Sequence, residues 1–215
     1  MSTLPRGIKK GVRPLLQKSL NSLTLAIELF NRPSDLGRSD AVLMLLDHSF
    51  EMLLKASVLQ RGVPIFEPGK AMTIGFQTCL DRACSNPKCL FLSLEEAQSL
   101  QAINTLRDAA QHYFLDISEE QLYFHVQSGV TLARDLLKKV FGLDLVAYLP
   151  RRVMPVSTVA LSTIELLYDE KMEEIRKLLA PNKRRRQEAL AALRPLIIFE
   201  RAMRGEDGQP SENEL

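Results

Sequence analysis

The chain has 215 residues, 46% hydrophobic and 25% charged, with a formal net charge of +2. That length and balance fit one globular domain with an appendage, or two small ones, with a real core. They exclude a chain recruited to nucleic acid by overall charge, so any such surface must be local. Tryptophan is absent and aromatic residues make up 6%, which argues against a β-sandwich or a base-stacking platform.

The N-terminal "MSTLPRGIKKGVRP" is basic but lacks the apolar run of a secretory signal. No stretch approaches the roughly 18 apolar residues of a membrane span. The expectation is a cytoplasmic protein with no membrane partner. Residues 15–30, "LLQKSLNSLTLAIELF", place Leu16, Leu20, Leu23 and Ile27 at helical spacing. After a break at Pro33 and Gly37, a second helix is expected from about Ser39 to Gln60. Its middle, "VLMLLDHSFEMLLKASVLQ", is apolar almost all round, as in a central buried helix. Arg61-Gly62 ends it.

Residues 62–92 hold Pro64, Pro68, Gly69, Gly75, Pro87 and all three cysteines, and read as loop. Ser93 caps a third helix with Glu96 in the capping-box position; Ser118 caps a fourth with Gln121, running to Gly142. "LVAYLPRRVMPVST" reads as an extended connection. Two further helices are expected over Thr158–Ala180, ended by Pro181, and Asn182–Arg204. The acidic "GEDGQPSENEL" reads as disordered. The expected class is all-α: an up-down four-helix bundle over 1–142, a proline-containing connection and helical extension over 143–204, and a tail over 205–215.

The chemistry concentrates in "TLRDAAQHYF", Thr105 to Phe114, at the end of the third helix. Asp108 and His112 are four apart and share a face, as do Arg107 and Gln111. A carboxylate one turn before a histidine can orient its ring and favour its protonated form. Arg107 offers a fork of donors suited to phosphate. A positioned histidine and a phosphate-binding arginine suffice to cleave RNA without metal, because the 2′-hydroxyl is the nucleophile. Arg107 and His112, however, lie about 140° apart around a regular helix. Either the helix end distorts or a second chain completes the site. The bland reading is that His112 and Tyr113 close a helix, where a cation is favourable.

"RDAAQHY" resembles the arginine–polar–histidine motif of the HEPN superfamily, and "DHSFEMLLKASVLQRG" (Asp47–Gly62) resembles the second helix of its members. "TIGFQTCL", "RDAAQHYFLDISEEQLYFHVQSGV" and "YLPRRVMP" are similar, in that order, to an uncharacterised bacterial family placed within it. The resemblance covers residues 12–156. It implies a HEPN-like bundle, a homodimer with the motif facing its partner, and metal-independent endoribonuclease activity in toxin–antitoxin, antiviral defence or RNA-processing systems. It implies Arg107 as the phosphate stabiliser, His112 as the proton-transferring group, Asp108 at the polar position and Glu51 in support, with Gln111 and Tyr113 beside them. Members silenced by nucleotidylation carry tyrosine two residues after the histidine; here Phe114 holds that place and Tyr113 follows His112 directly. An antitoxin or a nucleotidyltransferase is the implied protein partner, RNA the substrate. A catalytically silent helical binding module and a nucleotide-binding regulatory domain are the competing functions.

Cys79, Cys84 and Cys89 lack the paired spacing of a structural zinc site, so free thiols, no metal and no cofactor are expected. His48 and His125 lie on helices and read as structural. Lys183, Arg184, Arg185 and Arg186 begin the last helix, which also carries Arg194, Arg201 and Arg204, and this basic excess suits RNA phosphates or a solvated face equally. P-loop, dinucleotide-binding, metalloprotease and nucleophile-elbow motifs are absent from the sequence.

Overall fold

In a computed structural model of the chain, the described residues are 4–67, 69, 72–113, 115–150, 164–180, 185–206 and 208–211. They form an all-α fold: α1 (Arg13–Phe30), α2 (Arg38–Gln60), α3 (Phe76–Ser85), α4 (Leu94–His112), α5 (Glu119–Leu136), α6 (Ile164–Leu178) and α7 (Arg186–Met203). Helices α1, α2, α4 and α5 make the bundle, with α2 touching the other three and α3. Leu43, Leu46, Phe50, Leu53 and Leu54 of α2 are sealed from solvent, each such side chain contributing roughly 1.5–3 kcal/mol of transfer free energy. Small residues bring α1 close: Ser49 Oγ donates to the Ser19 carbonyl at 2.9 Å. Arg38 at the start of α2 donates to the Phe30 carbonyl at 3.0 Å and pairs with Glu119 at the start of α5.

Both predicted capping boxes are present. Glu96 N donates to Ser93 Oγ at 3.1 Å and Ser93 N to Glu96 Oε2 at 2.7 Å; Gln121 N donates to Ser118 Oγ at 3.3 Å and Ser118 N to Gln121 Oε1 at 3.2 Å. They satisfy amide donors that a helix start leaves open. Helix α5 widens at its end into one π-helical turn, Leu137–Phe141, before Gly142 takes a left-handed φ of 65°. The adjacent Leu136 and Leu137 are both buried, which the extra residue in that turn permits. Gly129 is where α5 meets α2 most tightly: a Cβ there would stand 3.0 Å from Leu46 Cδ1 and 3.4 Å from Phe50 Cε2.

The expectation of loop throughout 62–92 is corrected. Phe66 and Thr73 form a single antiparallel bridge, with Ile74 N donating to Ile65 O at 2.8 Å. Residues 76–85 are helix α3, burying Phe76, Cys79, Leu80 and Ala83. Those four have the i, i+3, i+4, i+7 spacing of one helical face; the surrounding prolines and glycines bound the helix rather than prevent it. Within the expected extended connection, residues 145–147 form a short 3₁₀ turn capped by Asp144; 151–163 lie outside the described residues.

Helices α6 and α7 pair through a small core of their own, Ile175, Ala189, Ala192 and Leu196, with Tyr168 Oη donating to the Leu196 carbonyl at 2.7 Å. Helix α7 then lies along α4. Gln98 Nε2 donates to the Met203 carbonyl at 2.9 Å, and Ile198 joins the main core. The expected starts of these helices, at Thr158 and Asn182, fall outside the described residues, and α6 ends at Leu178. In the stretch read as a disordered tail, Gln209 Nε2 donates to the Thr105 carbonyl at 2.8 Å and Pro210 is buried; composition did not signal these contacts. Among the described residues no helix is long and apolar enough to cross a membrane.

Candidate functional site

The capping box at Ser93 fixes the start of α4, and the apolar side chains Leu100, Ile103 and Leu106 fix its rotation by facing the core. That rotation turns Arg107 toward α2. There its Nε donates to Asp47 Oδ2 at 2.9 Å, while Asn104 Nδ2 donates to Asp47 Oδ1 at 2.8 Å. The Asp47 side chain is 5% exposed and that of Arg107 25%. Burial pushes the Asp47 carboxyl up; the Asn104 hydrogen bond and the Arg107 charge oppose it without cancelling it. The guanidinium is thereby held at one edge. Its Nη1 donates to Gln111 Oε1 at 3.1 Å and stands 2.6 Å from Asp108 Oδ1. Its Nη2 has no hydrogen-bond partner among the described residues, which leaves one donor edge for an anion.

His112 is the last residue of α4 and is exposed. Tyr113 N donates to Ala109 O at 2.9 Å and the chain turns extended, with φ −137° at Tyr113. The helix end is regular through His112, so the angular separation from Arg107 stands. The structure does not bring Asp108 onto His112. The carboxylate pairs with the adjacent guanidinium instead, a stronger partner than an imidazole, and His112 has no side-chain hydrogen bond among the described residues. Glu51 lies one turn beyond Asp47 on α2 and accepts from the buried Lys55 Nζ at 2.6 Å. It reaches Arg107 only through its charge on Asp47. Gln111 touches Arg107, as its spacing predicts.

Sequence reasoning missed Asp47 and Asn104, which meet each other beside Arg107. Asp47 carried a signal, an acid four residues before Glu51 on a largely apolar helix; Asn104 carried none. Arg194, one of the basic residues of the last helix, has its guanidinium carbon 4.4 Å from the centre of the Tyr113 ring, a pairing that its place in the sequence did not signal. Of the basic cluster, Arg185 and Arg186 are exposed at the start of α7, and Arg185 Nε lies 3.4 Å from Glu188 Oε1. Lys183 and Arg184 lie outside the described residues.

The other candidates sit elsewhere. His48 is exposed and bonds through Nδ1 to Ser22 Oγ at 2.8 Å. His125 is buried among Phe124 and Phe199, and burial pushes its pKa down to about 4. Cys79, Cys84 and Cys89 are free thiols, Cys79 pushed up to about 12 by burial. Among the described residues no cluster of three or more His, Cys, Asp or Glu could hold a metal. A cavity of about 420 Å³ lies at the opposite end of α4 and is lined by Glu95, Glu96 and Asp135 among others; its acids repel a phosphate chain.

A family described as a domain of unknown function, DUF3644, matches residues 14–185, and a second domain of unknown function, DUF8611, matches residues 167–215. The second match spans most of α6 and all of α7. No curated protein and no solved structure matches the chain.

Proposed function

We propose, from the premise that the chain belongs to the DUF3644 family, that it is a metal-independent endoribonuclease of the HEPN type, acting in bacterial defence, toxin–antitoxin or RNA-processing systems. The observation that carries this reading is an arginine fixed by the buried Asp47 with its Nη2 edge open, and an exposed, unengaged His112 five residues on in the same helix. In the reaction, the 2′-oxygen of the RNA attacks the adjacent phosphorus and gives its proton to an imidazole. The 5′-oxygen leaves and takes a proton, producing a 2′,3′-cyclic phosphate and a 5′-hydroxyl. Arg107 stabilises the charge that builds on the phosphoryl oxygens.

One chain supplies one exposed histidine at the motif, and its angle from Arg107 does not suit a single phosphate. A two-fold pair of chains removes both problems: it supplies a base and an acid and lets one copy's arginine meet the other's histidine. Helices α2, α5 and α7 already cover three sides of α4. Asp108, Gln111 and His112 fall within about 100° on the side they leave, and this polar strip is where a second copy would dock. In this arrangement Asp108 occupies the arginine until phosphate displaces it.

A silent binding module is the second reading, favoured by one observation: Asp47, Asp108 and Gln111 already engage Arg107 within one chain. Incubating the purified protein with total RNA in EDTA and analysing the ends separates the two. Cyclic phosphate ends that disappear in Arg107→Ala and His112→Ala support the ribonuclease. Intact RNA from a folded dimer supports the binding module.

A further inference from the structure

We propose that Tyr113, backed by Arg194, is the base-stacking position of the RNA site, taking the unstacked nucleobase next to the scissile phosphate. The inference rests on the ribonuclease reading for its location and on independent geometry for its chemistry. Tyr113 is a large aromatic side chain that stays 49% exposed, directly after His112 in the chain. One face of its ring is covered by the Arg194 guanidinium, 4.4 Å from the ring centre. Arg194 is itself buried, and its one hydrogen bond among the described residues goes to the Pro210 carbonyl at 3.5 Å. Burying a cation costs free energy unless partners meet it; Arg194 has no ion pair among the described residues, and the Tyr113 ring is the partner that it gains there. Helix α7 is registered on α4 through Gln98 with Met203, and the segment after it through Gln209 with Thr105, so this backing is built into the fold.

A ring fixed on one face presents the other beside His112. Bases of single-stranded RNA stack on such rings, and a cation behind the ring adds attraction for the adjoining phosphates. A composition poor in aromatics argues against an extended stacking surface, and a single position does not need one. The ligand class is therefore single-stranded RNA with one splayed base, rather than a duplex read by shape. The C-terminal hairpin contributes to the site through Arg194.

The test uses the full chain and a fluorescein-labelled oligoadenylate with 2′-O-methyl groups throughout, which lacks the attacking hydroxyl and cannot be cleaved. Anisotropy should show Tyr113→Ala weakening binding by about tenfold, with Tyr113→Phe within about twofold of wild type because the ring remains. With an oligonucleotide carrying abasic residues, wild type and Tyr113→Ala should bind alike. Equal affinity of the two for oligoadenylate overturns the proposal, as does a folded wild type that does not bind. A loss that persists on the abasic oligonucleotide also overturns it, because the substitution then acts through the docking of α7. Binding that depends on Tyr113 in a protein that never cleaves RNA would sink the ribonuclease and leave the stacking position standing. Cleavage that depends on His112, with binding indifferent to Tyr113, would do the reverse.

Discussion

Asp47 places a carboxylate in the most apolar helix of the chain, and that position costs free energy unless donors meet it. Asn104 and Arg107 both do. Removing the acid leaves Asn104 without its acceptor and loosens the hold on the arginine, so Asp47→Ala should lose about 2 kcal/mol in urea unfolding and weaken the proposed RNA cleavage with it. His125 gives a pH signature. Its folded pKa is pushed down to about 4 from an ordinary 6.5 by burial among aromatic rings. Between those values the unfolded chain binds a proton that the folded chain does not. The stability is therefore complete above 6.5 and is lost as pH falls toward 4, by up to about 3 kcal/mol. Unfolding midpoints followed from pH 7 to 4 should fall more steeply for wild type than for His125→Gln. At this scale the sequence exposed half of the site. The four-residue spacing of Arg107 and Gln111 is a contact; that of Asp108 and His112 is not, because spacing counts faces and not competitors, and a guanidinium stood nearer.

Helix starts were the most legible elements, since a capping box states its chemistry locally: a hydroxyl, then a Glu or Gln three residues on. The hidden element was α3, whose ten residues carry a clean apolar stripe inside a segment rich in breakers. Close approach of helices was also hidden. Gly129 looks dispensable within a helix, yet its missing Cβ admits Leu46 and Phe50. Gly129→Val should lower stability by about 1–3 kcal/mol through overpacking, read as a lower unfolding midpoint, despite the better helix propensity of the new residue. If Gly129→Val is neutral, α2 and α5 are not as close as described.

Across the whole molecule, the docking of α7 on α4 was the feature least open to sequence reading, since nothing local to either helix names the other. It places Arg194 at Tyr113, sets the C-terminal hairpin beside the motif, and leaves one polar side of α4 uncovered. The family match over residues 14–185 covers the bundle and α6, and the second match, over 167–215, covers most of the hairpin. In the proposed reaction His112, at that uncovered edge, performs proton transfer on RNA. The most direct measurement is the single-turnover cleavage rate of a defined RNA in EDTA, compared between wild type and His112→Ala. Because His112 is exposed and makes no side-chain hydrogen bond among the described residues, the variant should keep its fold and its unfolding midpoint. Its rate should fall by about 10²–10⁴-fold; a folded His112→Ala protein that cleaves at the wild-type rate would contradict the account.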